Sequence, residues 1–170
     1  EELNLNSFEN GAHIFTYEVA SPSAYGVLTL NSDGSIDSIV EKPSRPKSNL
    51  AITGLYFFNS EVVSKALKLS PSKRGELEIT DLNMIYLNQK SLKVQILQRG
   101  TAWLDTGTFT SLMQASQYVQ VIEERQGLKI GCIEEVAYEQ GFISAEQLLE
   151  IATPLLKSGY GTYLKNLLER

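Results

Sequence analysis

The chain has 170 residues, with 15 Lys and Arg against 20 Asp and Glu, for a formal net charge of −5. That length builds one ordinary core without covalent staples, and the single cysteine, Cys132, excludes an internal disulfide and suits a reducing cytoplasm. The acidic balance repels a polyanion and argues against nucleic acid, while a small phosphorylated ligand needs only one or two well-placed cations. No apolar window of about 18 residues offers a membrane span, and no basic start followed by an apolar run marks a signal peptide. Glu1 is not Met, and EELNLNSFEN is a polar, acidic opening without an independent first element. The expectation is a fragment whose natural start lies upstream.

AHIFTYEV, from Ala12 to Val19, is rich in aromatic and β-branched residues in rough alternation, which predicts a strand. SPSAYG is turn chemistry, and YGVLTL from Tyr25 predicts a second strand. NSDGS then supplies a tight hairpin turn into a third, SIDSIVEKP. Pro43 ends that strand, and SRPKSN reads as a loop. LAITGLYFF from Leu50 is a nearly continuous apolar run, which predicts a strand buried on both faces. Gly54 in its middle predicts a bulge or a close approach by another backbone or a ligand. SEVVSKALKL has helical spacing with Ser60 as its cap, and a second helix is predicted from Glu78 to Asn88 with Leu82, Ile85 and Tyr86 on one face. SLKVQIL returns to strand alternation. Helical patterns follow at Thr108 to Glu124, about Ile133 to Tyr138, Ser144 to Leu156, and Tyr160 to Leu168. The chain thus reads as mixed strand and helix to residue 107 and essentially all helix from 108 to 170, with the helical portion packed onto the sheet portion.

Four clusters carry candidate chemistry, each beside a plainer reading. In YGV, Tyr25 and Gly26 offer exposed backbone groups to a ligand, although a turn exit is the commoner reason for such a pair. In EKP, adjacent strand residues face opposite sides, so Glu41 and Lys42 do not pair with each other. Glu41 can accept hydrogen bonds from sugar hydroxyls and Lys42 can give a point charge to a phosphate, or both are a solvated strand end. In RGELEITD, acidic residues in a first helical turn suit the helix dipole without further function unless Arg74 meets a phosphate. In RGTAWLDTGT, Asp105 ends an apolar strand, where ligands of α/β sheets gather, and one carboxylate completed by phosphate oxygens suits Mg²⁺. Helix capping explains Asp105 equally well. His13 reads as structural, and no zinc motif, P-loop or nucleophile elbow occurs.

Together and in this order, AYGVLTL, IVEKPSRPKSNLAITGLYFF, PSKRGELEITDLNMIYL and RGTAWLDTGT, followed by IEERQGLKIGCIEEVAYEQGFI, resemble the bacterial glucose-1-phosphate thymidylyltransferases. The resemblance implies an α/β fold: the C-terminal part of a Rossmann-like nucleotidyltransferase mixed sheet, followed by a helical C-terminal region. Residues 1–107 would be an incomplete sugar-phosphate-binding part, and residues 108–170 would serve assembly and regulation. It implies that Tyr25 and Gly26 line the sugar site, Glu41 binds glucose hydroxyls, Lys42 reaches the sugar phosphate, and Ile52 contributes a main-chain contact. Tyr56 and Trp103 would wall the sugar pocket. Asp105 matches one of two aspartates that hold Mg²⁺, which leaves Thr106 or Thr108 to cap the following helix. Arg99 matches a residue of a regulatory nucleotide-sugar site.

The family opens with a glycine-rich GGxGTRLxPxT segment that cradles the triphosphate, then a lysine, and it carries its second metal-binding aspartate in the same upstream region. No counterpart of these occurs in this sequence. The implied partners are glucose 1-phosphate, dTTP and dTDP-glucose, with dTDP-rhamnose as an effector, in a cytoplasmic homo-oligomer. The segment alone is expected to turn over little and to expose apolar surface on its sheet portion. Two alternatives remain: a binding and assembly module carrying an effector site, or a sugar-phosphate nucleotidyltransferase using UTP, CTP or GTP.

Overall fold

The aromatic and β-branched run AHIFTYE forms the first strand, β1 (Ala12–Glu18), in a computed structural model that describes residues 10–169. The expectation for the acidic opening EELNLNSFE lies outside the described residues. Four more strands follow: β2 (Gly26–Leu30), β3 (Ile36–Glu41), β4 (Leu50–Phe58) and β5 (Leu92–Ile96). They form one sheet in the order β3-β2-β4-β1-β5. Only β5 runs parallel to its neighbour β1; the other pairs are antiparallel. The hairpin between β2 and β3 closes as NSDGS requires. Gly34 sits at φ +83, and the Asp33 carboxylate accepts a hydrogen bond from the Ser35 backbone at 2.9 Å.

The helices of this half are α1 (Val62–Ala66) and α2 (Ile79–Asn88). The first is shorter than its sequence suggests, and its cap position is Glu61 rather than Ser60; the Glu61 side chain accepts no capping hydrogen bond from the helix backbone. Leu82 and Tyr86 of α2 pack on Ala12 of β1, while Met84 and Leu87 cover a second cluster of Ile14, Leu28, Ile39 and Ile52. One face of the sheet is thereby closed over by α2.

The expectation for β4 needs correction, because the strand is buried only at its start. Ala51, Ile52 and Thr53 are buried, whereas Gly54 and Leu55 are exposed. The cause is the pairing: β2 meets β4 only at Leu50 and Ala51, and beyond these β4 has β1 alone beside it among the described residues. Gly54 marks a bulge, as a strand glycine suggested. Ile14 opposes Tyr56 and Thr16 opposes Ile52, so Thr53, Gly54 and Leu55 all stand opposite Phe15. A Cβ at Gly54 would meet nothing within 4 Å, so no close approach explains it.

The chain divides into two compact units, the first ending at Trp103 and the second beginning at Leu104. The second is all helix: α3 (Phe109–Gln126), α4 (Ile133–Glu139), α5 (Ala145–Ala152) and α6 (Gly159–Leu167). Its core is Cys132, Leu148, Ala152, Tyr163, Leu164 and Leu167. Helix α5 stops four residues short of the expected Leu156, because Pro154 cannot donate to an α-helical ladder and Thr153–Leu155 tighten into a 3₁₀ turn. No helix among the described residues is long and apolar enough to cross a membrane.

Candidate sugar-phosphate site

The strand ends β2 and β3 bring the first candidates together, because Gly26 pairs directly with Glu41 in their antiparallel register. The strand β3 ends there. Lys42 lies at φ +43, a left-handed conformation rarely taken by a side-chain-bearing residue, so the expected alternation between Glu41 and Lys42 does not apply. Lys42 still donates its backbone N–H to the Tyr25 carbonyl at 3.0 Å, and its side chain is exposed.

Glu41 is held from the other side by α2. Thr80, buried in the first turn of that helix, donates its hydroxyl to Glu41 Oε2 at 2.6 Å. Gly26 closes the group: a Cβ there would lie 3.1 Å from Glu41 Oε2, 3.4 Å from Thr80 Oγ1 and 3.6 Å from Ile52 Cδ1. A side chain at position 26 would press on the carboxylate, so glycine keeps that space and leaves its backbone approachable. Burial first, and then the negative charge of Glu41, push the Tyr56 phenol above its ordinary range. Gly26, Glu41, Ile52 and Tyr56 therefore form one neighbourhood.

Tyr25 and Trp103 form an adjoining aromatic group. Their rings meet edge to face with centroids 5.1 Å apart, and Tyr17 stands 5.9 Å from the same indole. An aromatic face of this kind suits the apolar face of a hexose ring, while Glu41 suits its hydroxyls.

Two further sequence candidates follow β5 along the chain. Arg99 is exposed in a turn closed by Thr101 N–H donating to the Gln98 carbonyl at 3.1 Å. Asp105 belongs to the second unit and does not end a strand; β5 finishes at Ile96, and residues 101–106 have no regular structure. Asp105 is not the helix cap either. Thr108 caps α3 by accepting the Ser111 N–H at 3.1 Å, and Ser111 Oγ accepts the Thr108 N–H in return at 3.0 Å. The Asp105 carboxylate instead lies over Gly107, where a Cβ would stand 3.3 Å from Oδ2. Among the described residues, no group of three His, Cys, Asp or Glu side chains stands together as a metal site. The exposed Asp105 carboxylate thus fits Mg²⁺ only as a single ligand, with phosphate oxygens and water completing the shell.

Arg74 resolves toward its plainer reading. It pairs with Glu76 at 2.9 Å and Glu78 at 3.5 Å, while Ser72 donates its hydroxyl to Glu78 at 2.9 Å. His13 stacks on Phe15 with centroids 5.6 Å apart, and burial, then the charge of Lys93, hold its pKa below the ordinary value.

Sequence reasoning missed Thr80 and Tyr17. Thr80 had a usable signal, since Thr80, Asn83 and Tyr86 recur at helical spacing and put two polar residues on an otherwise apolar face. Tyr17 had none, because its contact with Trp103 bridges distant parts of the chain.

Residues 4–121 match the family described as nucleotidyl transferase. Similar relatives include the glucose-1-phosphate thymidylyltransferase of Mycolicibacterium smegmatis, 54% identical over 98% of this chain and 59% of that protein. The protein of the same name from Xanthomonas campestris is 50% identical over 95% of this chain and 55% of its own length. Among solved structures, a Bacillus anthracis protein described as a glucose-1-phosphate thymidylyltransferase, in complex with a sucrose, aligns with a TM-score of 0.59 and 38% identity, covering 66% of this chain and 45% of that one. A UDP-glucose pyrophosphorylase complexed with UDP-glucose aligns with a TM-score of 0.55 and 26% identity, over 64% of this chain and 43% of that one. The chain spans about 55–59% of the length of these two curated relatives. By sequence and by sheet architecture, this chain belongs to the nucleotidyl transferase family.

Proposed function

We propose that this chain is the sugar-phosphate-binding part of a cytoplasmic glucose-1-phosphate thymidylyltransferase, an enzyme making dTDP-glucose and pyrophosphate from dTTP and glucose 1-phosphate. The observation that carries the reading is the convergence of Gly26, Glu41, Ile52 and Thr80 on one point, in a chain 54% identical to a relative of that name. Thr80 occupies Glu41 Oε2, and no donor among the described residues takes Oε1, which is left to accept from a hexose hydroxyl. The Gly26 backbone approaches the sugar, Tyr25, Tyr56 and Trp103 wall it, and Lys42 supplies a point charge to its phosphate.

In the reaction, an oxygen of the sugar phosphate attacks the α-phosphorus of dTTP as the bond to the leaving pyrophosphate breaks. Positioning and charge neutralisation carry such a transfer, and the residues here contribute positioning. Mg²⁺, when bound, neutralises phosphate charge, and Asp105 is the residue that would hold it. The triphosphate and the base are assigned to parts of the family that have no counterpart in this sequence, so the segment alone is proposed to turn over little. Arg99 is proposed to serve an effector site for dTDP-rhamnose, and the helical unit to serve homo-oligomeric assembly.

Titration calorimetry tests the reading. Glucose 1-phosphate should bind the chain, and Glu41→Ala should weaken it at least about tenfold, the scale of a lost hydrogen bond to a charged group. Equal binding by both proteins would overturn the assignment. In the same instrument dTDP-rhamnose should bind and lose affinity in Arg99→Ala; unchanged affinity would remove the effector role. Pyrophosphate release from dTTP and glucose 1-phosphate should stay near background, and robust release would show that the segment needs no further sequence.

A further inference from the structure

Two fully buried polar side chains, one on α2 and one on β1, have no hydrogen-bond partner among the described residues. They are Asn83, through both its amide nitrogen and its oxygen, and Thr16, through its hydroxyl. Both residues are 0% exposed, so nothing outside the protein reaches them in this conformation. An interior polar group left unpaired is costly, and such groups in folded proteins are satisfied in the great majority of cases. Their neighbour Thr53 shows the normal arrangement, donating its hydroxyl to the Phe15 carbonyl at 3.1 Å.

Their relative placement follows from the packing of α2. At one end of the helix, Tyr86 packs on Ala12 of β1. At the other, Thr80 and Ile52 both approach the same point beside Gly26, and Ile52 is the direct strand partner of Thr16. The helix therefore runs antiparallel to β1. Asn83 stands three residues from Thr80 and three from Tyr86 on the same helical face. Ala12, Ile14 and Thr16 alternate onto the face of β1 that α2 covers. Asn83 thus sits over the stretch of β1 that ends at Thr16.

We propose that Asn83 is a positioning residue which, with Thr16, holds interior water between α2 and β1 and so fixes the height at which Thr80 meets Glu41. An internal water needs two to four polar partners, and the amide N–H groups, the amide oxygen and the hydroxyl supply them. The bridge lies one helical turn from Thr80. A carboxylate held by a hydroxyl is only as well placed as the helix that carries the hydroxyl. The consequence for sugar binding rests on the function proposed above, whereas the bridge itself does not.

The 170-residue chain with Asn83→Leu, Thr16→Val and the two combined tests this by NMR. In the native sequence the Asn83 side-chain amide protons should give cross-peaks to long-lived water. The Thr80 hydroxyl proton should exchange with solvent about tenfold faster in each single variant, and no faster in the double, as expected for one shared network. The thermal midpoint should fall in each single variant, because each strands the other partner of the bridge, and the double variant should recover part of that loss. Absence of the water cross-peaks, or a Thr80 hydroxyl indifferent to both substitutions, would overturn the inference. Affinity for glucose 1-phosphate should fall in step with the hydroxyl exchange. If the native chain fails to bind that ligand while the hydroxyl responds as described, the proposed function falls and the positioning role stands.

Discussion

The sheet unit and the helical unit are defined by different kinds of contact. In the first, each strand is fixed by neighbours far away in sequence, as when Gly26 meets Glu41 or Ala12 meets both Phe58 and Leu92. In the second, local devices do most of the work. Thr108 with Ser111 and Ser144 with Gln147 form capping boxes, Gly127 ends α3 at φ +66, and the core is six residues. Large apolar groups remain outside that core, with Phe109 92%, Phe142 79% and Ile133 75% exposed. Apolar exposure was expected on the sheet portion, and it is present there at Leu67, Val63 and Leu77, but among the described residues the most exposed large apolar side chain, Phe109, lies in the helical unit. A unit built from local caps can place its helices without closing a large core, whereas a sheet cannot form without its long-range partners.

The sharpest way to probe this contrast is to insert a single methyl group in each unit. At Gly11 a Cβ would lie 2.1 Å from the Ser91 carbonyl oxygen, and the residue sits at φ +90. At Gly161 a Cβ would lie 2.2 Å from the Leu155 carbonyl, between α6 and the turn before it. Gly11→Ala should cost about 3 kcal/mol or more in the sheet unit, since clash and backbone strain add. Gly161→Ala should cost about 1–3 kcal/mol in the helical unit, where a short turn can shift. Hydrogen exchange resolved by residue checks both, and a larger loss at Gly161 would reverse the contrast. Core truncation is comparable in size. Leu164→Ala should cost about 2–5 kcal/mol, and in so small a core it should strip exchange protection from α4, α5 and α6 together; loss confined to α6 would mean that the six residues do not act as one cluster.

The smallest effect is a pH dependence confined to the helical unit. Tyr160 donates its hydroxyl to Glu134 Oε2 at 2.5 Å and lies 3.3 Å from the Cys132 sulfur. The contact with Cys132, then the hydrogen bond to Glu134, hold its proton well above the ordinary tyrosine range. The folded state therefore keeps this proton at pH values where the unfolded chain has lost it. Its contribution to stability is complete below the unfolded pKa of about 10 and declines as pH rises above that value. Denaturant midpoints measured from pH 8 to 11 should fall more steeply for the native sequence than for Tyr160→Phe. Parallel curves would remove Tyr160 from the account.

Most strands and helices were legible because period and turn chemistry act locally. NSDGS, Pro43 and the alternation of AHIFTYE needed no tertiary information, whereas the cap of α3 narrowed to Thr106 or Thr108 only through the family resemblance. The misreadings came from long-range causes. The exposure of Leu55 depends on how little of β4 is paired by β2, which no property of LAITGLYFF encodes. Asp105 read as a strand end because TAWL is apolar, but β5 pairs with β1 only as far as Ile96, and residues 101–106 have no regular structure. Of the site, the pairing of Gly26 with Glu41 was hidden in the hairpin register, and Thr80 became visible only once α2 was laid on the sheet.

The bulge in β4 has a consequence that is a matter of counting. Between the pairs Ile14–Tyr56 and Thr16–Ile52, β1 advances two residues while β4 advances four. The insertion is even, so side-chain parity is conserved: Ile52 and Tyr56 both stay on the face of Ile14, and Phe57 stays on the face of Phe15. The extra length of β4 is thus absorbed at Thr53 to Leu55 without changing which face either flanking segment presents.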